Sequence, residues 1–245
     1  MLLVPKFSYP EINRIESDID GRKYITPTGE ILPSVTSILS ATKADDTVKA
    51  LEGWKEWHGE VEAGRILRES GDIGTLIHKH LECYIKNEER PGGNNIIRVQ
   101  AKKLSDIVIE QGLSKVSEIW GTEVMMYYPE LYAGTTDAIG IHEGSPAILD
   151  FKNTRKPKKR EYIDDYYCQL AAYSEAHNKI YNTGIRKGVV LMVCRGDTKP
   201  ANFGIYQEFV LEGNEYDKYV DIWNKRVDRY YSAKNNLKFL TTQKR

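Results

Sequence analysis

The stretch YAGTTDAIGIHEGSPAILDFK, residues 132–152, decides how this chain is read. Two apolar-rich runs, 131–141 and 146–151, flank Gly144, Ser145 and Pro146, whose residue types favour turns. The pattern predicts a β-hairpin. Asp137 falls within its first strand and Asp150 at the end of its second, so strand pairing would bring two carboxylates together. Lys152 lies two residues beyond Asp150, and in a strand residues i and i+2 share a face. Two acids and one amine would therefore converge at the rim of a sheet.

Paired aspartates are hard oxygen ligands suited to Mg²⁺ or Mn²⁺, ions that keep several waters and also bind substrate phosphates. An ion so held polarises a phosphoryl oxygen and lowers the pKa of a bound water. A lysine beside it would orient or deprotonate that water, or offset charge on the phosphate. The same residue types also occur as strand-end caps and turn formers, so the spacing alone leaves both readings open.

Working outward, Lys152 to Arg160 carries six cations and no acid, directly downstream of the proposed site. It reads as a solvated loop or as a phosphate-facing one. The chain as a whole is not basic: 35 Lys and Arg balance 35 Asp and Glu. That balance disfavours a general nucleic-acid coat, yet leaves room for a local basic groove beside an acidic centre. At 245 residues, 40% hydrophobic and 29% charged, the chain can bury a substantial core. No apolar run approaches the ~20 residues of a membrane span, and the polar start lacks a signal or transit pattern. Cys83, Cys168 and Cys194 form no paired framework, as in a reducing compartment. The expectation is an intracellular protein that contacts no membrane.

Upstream, residues 1–33 read as irregular and partly extended, with a short strand at Tyr24–Thr26 and a turn at Pro27–Glu30. Pro33 and Ser34 would open a short helix, where the Ser34 and Thr36 hydroxyls either cap or meet phosphates. Residues 46–69 read as one helix interrupted by glycines, with Trp54 and Trp57 on a shared face as core or as a stacking platform. Gly74–Ile85 is a second helix that sets His78 and Glu82 one turn apart. Residues 96–111 form a third. Glu118–Tyr128 is a strand leading into the hairpin, and Asp164–Tyr181 a helix carrying Gln169 and Tyr173 on one face. Lys187–Arg195 is a buried strand, Ile205–Leu211 an edge strand and 215–236 a closing helix. This order marks an α/β core with a mixed sheet.

Gly134-x-x-Asp137, Asp150-Phe151-Lys152 and Gln169-x-x-x-Tyr173, preceded by Gly74-x-x-x-His78 with Glu82, resemble the signature of the PD-(D/E)XK nuclease superfamily, in its RecB-like exonuclease branch. The segment Leu32–Leu39 is similar to the N-terminal segment of the mitochondrial genome maintenance exonuclease group and its phage relatives. Thr136 stands where proline precedes the first acid, and Asp150 is the shorter acid; the superfamily tolerates both.

The resemblance implies a restriction-endonuclease-like core, a central mixed sheet flanked by helices with an N-terminal helical region arching over the site. It divides the chain into an N-terminal arm (1–45), a helical arch (46–115) and the core (116–245), as one nuclease domain. Asp137, Asp150 and Lys152 would be catalytic. His78, Asp137, Asp150 and the Phe151 carbonyl would hold Mg²⁺ or Mn²⁺, with His78 alternatively on phosphate. Ser34, Thr36, Trp54, Trp57, Arg155, Lys156, Gln169 and Tyr173 would touch nucleic acid, Gln169 and Tyr173 alternatively supporting the centre. Glu82 and Glu123 would stand behind the ligands, Glu123 alternatively holding a second metal ion. The four cysteines of an iron–sulfur member are missing, so no cluster is expected.

The implied activity is a metal-dependent deoxyribonuclease degrading single-stranded DNA from free ends, as a monomer of phage or bacterial origin working in DNA repair or recombination. The alternative is a weak or inactive single-strand-binding module of the same fold.

Overall fold

A computed structural model of the chain describes residues 3–17, 21–196 and 203–242. The predicted hairpin is its centre. Strands β4 (Val116–Tyr128), β5 (Tyr132–His142), β6 (Ser145–Thr154), β7 (Gly188–Arg195) and β8 (Phe203–Leu211) form one mixed sheet in the order β4-β5-β6-β7-β8. The turn between β5 and β6 is Glu143-Gly144, both at positive φ, the backbone twist a two-residue hairpin favours. Pro146 lies inside β6, paired with Ile141, rather than in the turn. Within this sheet only β6 and β7 run parallel, so a crossover is required, and helix α5 (Asp164–Tyr181) supplies it.

The sheet is covered on both faces. Val190 and Met192 of β7 join α5, α1 (Val35–Ala41) and α6 (Gly213–Thr242) in one core, which includes Ile38, Leu170 and Trp223. Val189, Leu191 and Val193 face the other core, built with α3 (Glu60–Lys86) and α4 (Ile96–Gln111) around Ile77, Leu81 and Leu104. Burial on both faces is why β7 is a continuous apolar run instead of an alternating one. Among the described residues no helix is long and apolar enough to cross a membrane.

Three expectations are corrected. The partly extended character expected of residues 1–33 resolves into more order than foreseen: β1 (Asn13–Ser17), β2 (Gly21–Ile25) and β3 (Ile31–Pro33) form an antiparallel three-stranded sheet, while residues 4–12 stay outside helices and strands. Its short strands alternate charge with apolar residues and bury only Ile12, Tyr24 and Leu32 against Ala133, too weak a pattern to stand out. The helix expected over 46–69 is two: α2 (Asp45–His58) ends at Gly59, at φ 77°, and α3 then runs unbroken through Gly64, Gly71 and Gly74. Its apolar stripe, Ala63, Ile66, Ile73 and Ile77, holds the helix together across those glycines. Trp54 and Trp57 are not core residues: Trp57 is 80% exposed and Trp54 half-buried, because α2 packs along α3 and away from the sheet.

Candidate metal centre and substrate cleft

β5 and β6 pair only from Ala138–Leu149 back to the turn, whereas β6 stays paired with β7 as far as Thr154–Cys194. The two hairpin strands therefore part just where Asp137 and Asp150 stand. The expected end of the second strand at 151 is thus extended, and Asp150 and Lys152 lie within β6. At the fork the Phe151 N–H donates to Asp137 Oδ2 at 2.6 Å, a side chain taking the place of a neighbouring strand. The Phe151 carbonyl, expected on a metal, lies 3.0 Å from His78 Nε2. A carbonyl can only accept, so Nε2 carries the proton and Nδ1 turns to the acids. His78 Nδ1 is 3.4 Å from Asp137 Oδ1 and 4.0 Å from Glu123 Oε1.

His78, Glu123 and Asp137 form a group whose ligand atoms all lie within 4.8 Å of one another. Glu123 reaches it from an unusual backbone. It stands between the pairs Thr122–Ala138 and Val124–Thr136, hence opposite Asp137, with φ 51° in the middle of β4. A non-glycine residue there is costly and persists only where its surroundings hold it. Asp150 lies outside this tight group. Its Oδ1 accepts from Lys152 Nζ at 2.6 Å, while Oδ2 is buried with no partner. An orphaned buried carboxylate oxygen beside a second carboxylate suits a divalent cation, and the oxygen-rich donor set with one imidazole suits Mg²⁺ or Mn²⁺.

The charges agree with that reading. Burial pushes Asp150 up to about 6, with Lys152 resisting and Asp137 adding to the rise. Burial would do the same to Asp137, but His78 and Lys152 hold it below the usual carboxylate range. His78 is pushed up to about 9: burial opposes its charge, and Asp137 and Glu123 outweigh burial. Lys152 also overcomes burial, the Asp150 and Asp137 carboxylates raising it above its ordinary value, so it is an ammonium at neutral pH. Its Nζ sits 5.1 Å from the centre of the Tyr166 ring, a further stabilising contact for the cation.

Two glycines sit where this packing is tight. A Cβ at Gly74 would lie 2.7 Å from Asn153 Nδ2, so a larger residue there would displace that amide where the helix carrying His78 passes β6. A Cβ at Gly134 would lie 2.7 Å from Tyr173 Cε1, and that buried ring fills the space beside β5 three residues before Asp137. Gln169 Nε2 donates to Tyr173 Oη at 3.5 Å, a long contact.

The centre opens into a cleft of about 560 Å³. Ser34, Thr36, His78, Glu82, Glu123, Asp137, Gln169 and Tyr173 line it. Ser34 also caps α1, accepting from the Ser37 N–H at 2.9 Å, so capping and lining are served by one hydroxyl. Glu82 is held by Lys79 and Lys86 at 2.8 and 2.5 Å, two cations on one carboxylate. Trp54, Trp57, Arg155 and Lys156 do not line the cleft. The basic run is itself divided. Arg160 turns back to Asp164, Glu215 and the Tyr167 and Tyr219 rings, whereas Arg155 lines a separate pocket. The sequence reading missed Arg14, Arg22, Tyr24, Thr75, Lys79, Met125 and Thr135, which also line the cleft. Arg14 and Arg22 face one another's strand across the β1–β2 hairpin, and only recognition of that hairpin would have found them.

No family model matches the sequence. The chain is 25% identical over 224 residues to mitochondrial genome maintenance exonuclease 1 of Mus musculus, a match covering 84% of this chain and 61% of that one. The Homo sapiens protein of the same name is 22% identical over 222 residues, covering 84% and 60%. The chain thus spans about three-fifths of the length of these curated relatives. Among solved structures, LHK-Exo in complex with dAMP is 12% identical, covers 71% of this chain and 90% of that one, and has a TM-score of 0.37. A phage-related exonuclease from Haemophilus somnus 129PT is 10% identical, covers 65% and 82%, and has a TM-score of 0.31. By sequence the chain is similar to the mitochondrial genome maintenance exonucleases, the resemblance that its motif order implies.

Proposed function

We propose that the chain is a nuclease that hydrolyses phosphodiester bonds of single-stranded DNA from free ends with the help of Mg²⁺ or Mn²⁺. The observation that carries this is the fork between β5 and β6, where Asp137, His78 and Glu123 converge beside the unpartnered oxygen of Asp150 and the ammonium of Lys152. His78, Asp137 and Asp150 would hold the ion, with Glu123 as a fourth donor. When bound, such an ion polarises the phosphoryl oxygen and makes a coordinated water acidic near neutral pH.

The chain's own groups do the rest. Lys152 is charged, so it serves as a donor and electrostatic clamp rather than as the base, drawn toward the negative charge that builds on the phosphate. Asp150 fixes the ammonium through Oδ1 and keeps Oδ2 for a second partner. Asp137 is tied to the backbone through Phe151 N–H, so its free oxygen is held in one position. His78 is pinned at Nε2 by the Phe151 carbonyl, presenting Nδ1 to the same point. Ser34, Thr36, Gln169 and Tyr173 supply neutral donors along the cleft, suited to phosphate and base edges. The similarity to exonucleases supports the same reading.

The deciding experiment uses end-labelled linear and circular single strands, with Mg²⁺, with Mn²⁺ and with EDTA. Loss of the linear strand with either ion, sparing of the circle, and arrest by EDTA are expected. Cleavage of the circle would convert the proposal to an endonuclease. Binding without cleavage under every ion would favour a non-catalytic single-strand-binding module.

A further inference from the structure

A second polar pocket, of about 290 Å³, opens at the far end of β6 and β7 and has no part in the centre described above. Thr154 of β6 pairs with Cys194 of β7 in parallel register, so Arg155 and Arg195 follow side by side at the carboxyl ends of these strands. In open α/β sheets that is the end at which ligands collect. Arg65 and Glu69 of α3 and Gln100 of α4 close the pocket. Three guanidiniums and one carboxylate thus line the pocket, with a second carboxylate, Glu62, paired to Arg65 at its rim.

Arg195 is the anchor. Its side chain is only 6% exposed, Nη1 donates to Glu69 at 3.1 Å and Nη2 to Ser70 Oγ at 2.7 Å. Its Nε is buried without a partner. A buried cation held beside two like charges, with one N–H uncommitted, is an arrangement that an anion completes. Arg65 brings its charge to the rim, where its fork meets Glu62 and Glu69.

We infer that this pocket binds a backbone phosphate of the same DNA strand, away from the scissile one. The inference rests on the nuclease reading and adds to it a second phosphate site. Glu69 and His78 lie on one helix nine residues apart, which is about 14 Å along its axis. That span is roughly four nucleotides of a stacked strand at ~3.4 Å per nucleotide, and fewer if the strand is stretched. The helix α3 would then be the rail along which the strand is held, with the metal centre at one point and the arginines at another.

The test is binding of a fluorescent 12-nucleotide oligothymidylate in EDTA, which removes cleavage from the measurement, across a salt series. Arg65→Ala, at a 60% exposed position, is the variant least able to disturb the fold. It and Arg195→Gln should each weaken binding several-fold and flatten the salt slope by about 0.7 for each phosphate no longer neutralised. Glu69→Gln, which removes the opposing charge, should tighten binding, a direction that misfolding would not give. Melting curves confirm that each variant is folded. An unchanged Kd and salt slope in folded Arg65→Ala, together with no tightening in Glu69→Gln, would overturn the inference even if the wild type cleaves DNA. A wild type that binds and responds as described but never cleaves would sink the nuclease reading alone. A wild type that binds no strand would sink both.

Discussion

The pH dependence of metal binding tests the proposed centre most directly. In the absence of an ion the Nδ1 proton of His78 fills the position between Asp137 and Glu123, and His78 titrates at about 9 instead of near 6.5. A raised folded pKa means this proton stabilises the metal-free protein fully below about 6.5 and is lost as the pH rises through about 9. An ion that takes Nδ1 must expel the proton. Between pH 6.5 and 8.5 the apparent affinity for Mn²⁺ should therefore rise about tenfold per pH unit, with about one proton released per ion. At pH 7 the competition amounts to about 2 pK units, or roughly 3 kcal/mol. Below pH 6 Asp150 is protonated as well, since its carboxyl titrates at about 6, and the slope should steepen toward two if Asp150 is a ligand. Calorimetry in buffers of different ionisation heat counts the protons, and His78→Ala should abolish the upper part of the slope while keeping the lower. Affinity that is flat from pH 6.5 to 8.5 would refute the placement of His78 Nδ1 on the ion.

Further outcomes follow from single side chains. Lys152→Ala should reduce cleavage by about 10²–10³-fold or more, the cost of losing one transition-state donor, while oligonucleotide binding stays near wild type; turnover close to wild type would remove the lysine from the mechanism. Gly134→Ala places a methyl 2.7 Å from a carbon of the buried Tyr173 ring. Overpacking of this kind costs about 1–3 kcal/mol, which for a chain of this size lowers Tm by roughly 2–12 °C. An unaltered melting temperature would show that the ring yields freely and does not brace β5.

Most of the sheet was legible because its strands announce themselves. The hairpin has a turn signal between apolar runs, β7 is apolar throughout, and α5 carries small residues where it meets the sheet. The N-terminal sheet was not legible, since β1 and β2 draw their stability from Ala133 and neighbouring residues more than a hundred positions away. The glycines misled in part: the chain does break at Gly59, but α3 runs on through Gly64 because its buried stripe carries it. At the candidate site, motif and order singled out Asp137, Asp150, Lys152 and His78, and the fold sets His78 3.4 Å from Asp137 and Lys152 2.6 Å from Asp150. Glu123 entered as the weakest nomination, an acid behind the ligands or on a second ion, because its nearness to His78 depends on a left-handed backbone that no local pattern of its strand foretells. Arg195 read simply as the last residue of a buried strand; its meeting with Arg155 and Arg65 is a matter of register and helix packing.

The parting of β5 from β6 has a practical cost for anyone altering this centre. Phe151 would have both its amide hydrogen and its carbonyl oxygen unmet on that side, were it not for Asp137 and His78. The two residues proposed to grip the ion are thus also the splint across a split in the sheet. Replacing either strands a backbone group away from water, so lost activity in such mutants has to be weighed against loosened strands before it is credited to chemistry.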